Sequence, residues 1–130
     1  MKHIWPIAVM ALALAACEAP PSQEDAPFEP QYLGIETRLL EGDLVNFHVE
    51  MRGARKTRDI EDYARCAAAQ YALIRGYGFA QHVRTQVEQR EGLWMADAAY
   101  LISDALPKGV TNIDAEVTVA ACRETNIPTV

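Results

Sequence analysis

LVNFHVEMR, residues 44–52, is the stretch that decides the fold. Val45, Phe47, Val49 and Met51 alternate with Asn46, His48, Glu50 and Arg52. A period of two puts the first set on one face of a β-strand and the second on the other. One face therefore belongs to a core, and the other is polar throughout. Just upstream, Ile35, Thr37 and Leu39 alternate with Glu36, Arg38 and Leu40, and Glu41-Gly42-Asp43 supplies turn chemistry between the two runs. The pair reads as a hairpin.

Downstream the period changes. Ile60, Tyr63, Ala64, Ala67, Tyr71 and Ile74 recur at helical spacing, with Asp59, Glu61 and Asp62 near the positive end of a helix that starts close to Arg58. Thr57 is the expected cap, and Gly76 or Gly78 the expected left-handed stop. The run Ala67-Ala68-Ala69 leaves little side chain between this helix and whatever it covers, which suits close packing on a sheet. Two further strands are expected over residues 79–89 and 93–103, joined through Arg90-Glu91-Gly92 as a second hairpin. After a break at Pro107-Lys108-Gly109, Ile113, Ala115, Val117 and Val119 alternate with Asp114, Glu116 and Thr118 and predict a last strand, followed directly by Cys122. The expected architecture is α+β: a small, mostly antiparallel sheet of about five strands with one helix packed on one face.

A chain of 130 residues, 50% hydrophobic, is long enough for one modest core and too short for two. Its net charge of −6 opposes nucleic-acid binding, which needs clustered Lys and Arg, and supplies no polybasic patch for anionic lipids. There is no internal repeat. The segment 18–30, EAPPSQEDAPFEP, holds four prolines, four acids and one large apolar residue, Phe28. Such a composition cannot bury enough surface to offset the entropy of ordering, and it reads as a tether that spans at most ~45 Å when extended.

At the amino terminus, Lys2 precedes an uncharged stretch from Ile4 to Ala16. As a helix it would cover roughly 20 Å, well short of a ~30 Å hydrocarbon core, so it reads as a signal peptide and not a permanent span. Leu14-Ala15-Ala16-Cys17 resembles the lipobox of bacterial lipoprotein precursors: an aliphatic residue, two small residues, then a cysteine. That resemblance implies removal of residues 1–16 and a thioether-linked diacylglycerol on Cys17. Two or three acyl chains, at about 0.8 kcal/mol per buried CH₂, make an effectively permanent membrane anchor. It further implies a periplasm-facing location in the cell envelope, with Glu18 after the lipidated cysteine favouring the outer over the inner membrane. The competing reading is an ordinary secretory signal that leaves Cys17 unmodified. Through the Tyr63-Ala64-Arg65-Cys66-Ala67-Ala68-Ala69 helix between strands, the mature part resembles uncharacterised small alphaproteobacterial envelope lipoproteins, a likeness that implies no particular activity. The resulting organisation is a signal peptide (1–16), a lipidated cysteine and Pro/acid-rich tether (17–30) and a single α+β domain (31–130).

With Cys17 assigned to lipid, Cys66 and Cys122 remain either as one disulfide, which an oxidising compartment permits, or as two buried thiols that never meet. No G-x-S-x-G, H-E-x-x-H, C-x-x-C or phosphate-binding glycine loop is present, and Cys66 has no neighbouring base. The expectation is a non-enzymatic protein with no cofactor and no metal, acting as an interaction or accessory component for another envelope protein. The alternative is a small-ligand or metal carrier that uses His48 and His82, with Glu50 and Arg84, on a shared polar sheet face.

Overall fold

The computed structural model describes residues 27–105 and 112–130. Strands β1 (Gln31–Leu39), β2 (Leu44–Arg52), β3 (Phe79–Arg90), β4 (Leu93–Ser103) and β5 (Asn112–Asp114) form one antiparallel sheet in the order β1-β2-β4-β3-β5. Helices α1 (Thr57–Ile74) and α2 (Ala115–Glu124) complete an α+β domain. Cys17, the signal segment, most of the tether and the Pro107-Lys108-Gly109 break lie outside the described residues.

Both hairpins close as their turn residues dictate. Gly42 takes φ +62 between β1 and β2, and the two-residue turn Glu91-Gly92 takes φ +50 and +82 between β3 and β4, the left-handed pair that matches strand twist in tight hairpins. β2 and β4 then pair centrally over their full length, and their inward residues alternate in size across the ladder. Phe47 opposes Ala98, Val49 opposes Ala96, and Val45 opposes Tyr100. All six are buried. α1 lies across β2, β4 and β3 and also packs on α2, and its Ala67, Ala68, Ala69 and Ala72 are fully buried. The alanines let the helix backbone approach, and Phe47 fills the space they leave, with its ring edge-on to Tyr71 and Tyr100.

The ends of α1 correct one expectation and satisfy another. Thr57 lies inside the helix and does not cap it; the capping group is the buried Asp59 carboxylate, which accepts hydrogen bonds from the backbone N–H of Arg55 and Lys56 at 2.8 and 3.2 Å. At the other end Gly76, at φ +81, donates to the Leu73 carbonyl, and Tyr77 donates to that of Ala72. This is the paired arrangement that ends a helix through a left-handed glycine.

The expected last strand is the main departure. Pairing stops after Asn112–Asp114, and residues 115–124 form α2, so the domain has two helices and not one. Asp114 caps α2, its Oδ1 accepting from the Val117 N–H at 3.1 Å, while Glu116 and Arg123 complement the helix dipole at the two ends. Ala115, Val119 and Cys122 are buried at helical spacing, and Val117, which a strand would have turned inward with them, is exposed. Cys66 and Cys122 are joined, with S–S 2.01 Å and Cα–Cα 6.0 Å. The bridge ties α1 to α2, not a helix to the end of a strand.

Candidate functional site

Both helices pack on one face of the sheet, and no described element covers the other. The uncovered face is built from the even-numbered residues of β1 from Gly34 onward and of β2, the odd-numbered residues of β4, and the even-numbered residues of β3 from Arg84 onward. The ladder sets them in rows. Glu36, His48, Asp97 and Gln86 lie side by side across four strands, and so do Arg38, Asn46, Ala99 and Arg84.

His48 is the centre of this surface. Its Nδ1 lies 3.0 Å from Asp97 Oδ1 and its Nε2 lies 3.1 Å from Glu50 Oε1. Ionised carboxylates only accept, so both contacts are hydrogen bonds when both ring nitrogens carry a proton, as in the imidazolium. Partial burial disfavours that charge, but the hydrogen bonds to Glu50 and Asp97 and their negative charges outweigh it and hold the His48 pKa above its ordinary value. For Asp97 burial acts upward, and it is outweighed by hydrogen bonds from His48 and Asn46 and by the charges of His48 and Arg38. The carboxyl is held below its ordinary value. Asn46 Nδ2 donates to the same Asp97 oxygen at 3.2 Å.

Ala99 is the smallest side chain in its row, and its size opens a hollow of about 300 Å³ walled by Arg38, Asn46, Arg84 and Gln86. Beside it, His48, Gln86, Glu88, Met95 and Asp97 line a second hollow of about 440 Å³. Arg38 is bound to Glu36 by two hydrogen bonds of 3.1 Å. The surface thus alternates cationic and anionic groups around two shallow recesses.

His82 is not part of this face. Pairing slips between His82 and Arg84, so Val83 is an extra residue that reverses the parity of β3. Arg84 therefore joins His48 on the open side. His82 lies on the helix side, opposite Tyr100, with ring centroids 5.2 Å apart and its Nε2 2.6 Å from Thr85 Oγ1. The shared His48/His82 face expected for a carrier does not exist. His82 instead lines a cleft of about 440 Å³ under α1, with Arg58, Glu61, Asp62, Arg65 and Tyr100. Arg65 and Arg58 both pair with Asp62 there, and burial pushes the Tyr100 hydroxyl up to about 12, which keeps it a neutral donor. Among the described residues no three His, Cys, Asp or Glu side chains are grouped so as to hold a metal ion.

Asn46, Asp97 and Arg38, which frame His48 and the first hollow, were not singled out by motif or spacing. Their role comes from cross-strand register, and β2 reaches Asp97 across 49 residues of chain. At the tether end, Phe28 sits against the Arg55 guanidinium, 4.4 Å from carbon to ring centroid, so the last tether residues rest on the domain.

The family model for the YNQ4 C-terminal domain matches residues 32–126, from the second residue of β1 to the residue after the α2 cap. The chain belongs to the YNQ4 C-terminal domain family. Both sheet faces and both bonded cysteines fall inside the family match, whereas Cys17 and the tether fall outside it. The chain is also similar to a protein of Paracoccus denitrificans described as "Uncharacterized 26.9 kDa protein in nqo8 5'region", with 29% identity over 85 residues. That match covers 65% of this chain and 33% of the relative, so the chain spans about a third of the relative's length. No solved structure gives a significant match. No helix among the described residues is long and apolar enough to cross a membrane.

Proposed function

We propose that this YNQ4-type domain is a non-enzymatic docking module of a lipid-anchored envelope lipoprotein, attached through Cys17 and facing the periplasm. Its uncovered sheet face receives another envelope protein. The observation that carries the reading is the segregation of the two faces. Both helices of the described residues pack on one side, while the other presents an ordered polar array around His48 with two recesses beside it. An array held by cross-strand hydrogen bonds is pre-organised, and a partner docking on it loses little side-chain freedom. The lipobox supports the anchor, Glu18 favours the outer membrane, and the bridged Cys66 and Cys122 suit an oxidising compartment.

Photocrosslinking in intact cells tests the docking. A photoreactive residue is placed at Arg84 or Met95 on the open face, or at Glu61 on the helix side. The reading expects one discrete adduct from Arg84 and Met95 and none from Glu61. Adducts from Glu61 alone, or from no position in envelopes holding abundant intact protein, overturn it.

A further inference from the structure

The sheet has one long free edge, and its sequence is complementary to itself. β1 is an outer strand of nine residues, and α1 meets it chiefly through Tyr63 against Tyr32, with ring centroids 4.7 Å apart. Leu39, on the helix side of β1, is left 65% exposed beyond the helix layer. The opposite edge is different: β5 already covers Phe79–Gln81 of β3, and a bulge interrupts β3 at Val83.

The ladder to β2 determines which β1 groups are free. The Leu40 N–H donates to the Leu44 carbonyl, and register then runs without interruption from Leu39↔Val45 back to Gly34↔Glu50. In an antiparallel ladder every second residue directs its N–H and C=O to the neighbour. Here those are Gly34, Glu36, Arg38 and Leu40, and Ile35, Thr37 and Leu39 direct theirs outward. A second copy approaching antiparallel can bond only through odd-numbered residues, which restricts it to registers centred on a residue, and centring on Glu36 or Arg38 would oppose like charges.

One such register matches the side chains as well. With Thr37 facing Thr37 of the other copy, Ile35 faces Leu39 in both directions, and these pairs supply about six backbone hydrogen bonds. Between them Glu36 faces Arg38 twice. These fall at the closely spaced, non-hydrogen-bonded positions where cross-strand side chains interact most strongly. Centring on Ile35 instead sets Glu36 against Gly34 and Arg38 against Tyr32 and makes no ion pair.

We propose that β1 is a homodimerisation edge, pairing antiparallel with β1 of a second copy about a two-fold axis at Thr37. The axis is perpendicular to the sheet, so both sets of helices lie on one side and the two open faces join into one continuous surface. The half-buried Ile35 and the exposed Leu39 side chains cover each other in the gap between the two α1 helices. The proposal does not depend on the docking role of that face, and it holds or fails by itself.

The test measures self-association of the full chain by sedimentation equilibrium, with the Glu36→Arg and Arg38→Glu variants singly and combined, and oxidative crosslinking of Thr37→Cys and Glu36→Cys. Expected are a reversible dimer and a dissociation constant raised about tenfold or more by either single reversal, with recovery to near the parent value in the double reversal, where the pairs reform with signs exchanged. Thr37→Cys should give a covalent dimer, because directly opposed hydrogen-bonded residues lie about 5.5 Å apart at Cα, within disulfide range. Glu36→Cys should give none, since its own counterpart is offset by two residues. A monomer at all concentrations overturns the proposal, and so does a dimer indifferent to charge reversal. If Thr37→Cys fails to fold, the charge series alone decides.

Discussion

Replacing both bonded cysteines, Cys66→Ala with Cys122→Ala, should cost the domain much of its stability and release α2 first. The bridge closes a loop with a sequence separation of 56. In the chain-entropy model a closed loop of that size restricts the unfolded chain by about 4 kcal/mol. Domains of this length are commonly stable by about 5–15 kcal/mol, so the loss is a large fraction of the whole. Tm should fall by about 15–30 °C, at roughly 4–8 °C per kcal/mol. α2 contributes only Ala115, Val119 and Cys122 to the buried surface, whereas β2 alone contributes Val45, Phe47, Val49 and Met51. Without the bridge, the few contacts of α2 must hold it alone. Urea unfolding followed by far-ultraviolet circular dichroism measures the stability, and amide hydrogen exchange reads the order of opening: protection in α2 should drop well before protection in β2 and β4. A double variant within about 1 kcal/mol of the parent, or one whose α2 amides keep their protection, would refute the reasoning. α2 would then be held by packing and not by the covalent link.

His48 should titrate above its ordinary value of 6.5, as seen by the ring-proton shifts in nuclear magnetic resonance. A raised pKa in the folded state stabilises the fold fully below the unfolded value and loses that contribution as pH rises through the folded value. The parent should therefore lose Tm on going from pH 6 to pH 8.5 by an increment absent in His48→Ala; a His48 pKa at or below 6.5, or identical pH profiles, contradicts the paired-carboxylate reading. Asp97 acts in the opposite window, since its lowered pKa contributes stability above the ordinary carboxylate value and loses it as pH falls through the folded one. Gly53→Ala should destabilise by about 2 kcal/mol, because Gly53 sits at φ +78 and a Cβ there collides with the Glu29 carbonyl oxygen where the tether joins the domain. An unchanged Tm would show that this junction yields freely.

The parts of the fold that announce themselves in the sequence are those where one local signal acts alone. β2 alternates without interruption, α1 carries a long apolar stripe and a glycine stop, and the hairpins have glycine turns that force their conformation. α2 was obscured because Ile113, Ala115, Val117 and Val119 satisfy a period of two over seven residues. The competing helical signal was present: Asp114 stands as a cap, and Ala115, Val119 and Cys122 recur at helical spacing. A run of alanine and valine this short does not choose between periods; the place of its cap and the bridge to α1 do. The position of His82 was hidden for a different reason. One extra residue, Val83, exchanges the faces of everything before it relative to everything after, and a bulge of this kind has no marker such as a glycine here. The polar array around His48 was half legible. The alternation in β2 exposes His48 beside Glu50, but Asp97 arrives through strand order, which places β4 and not β3 next to β2.

The reading as an envelope docking module stands on what Cys17 carries. Intact-mass spectrometry of the chain extracted from bacterial envelopes decides it. The account predicts a polypeptide that starts at residue 17 and is heavier than its amino acids by a diacylglyceryl group and, after further acylation, one more fatty acid. A bare Cys17, or a chain still holding residues 1–16 in growing cells, contradicts it.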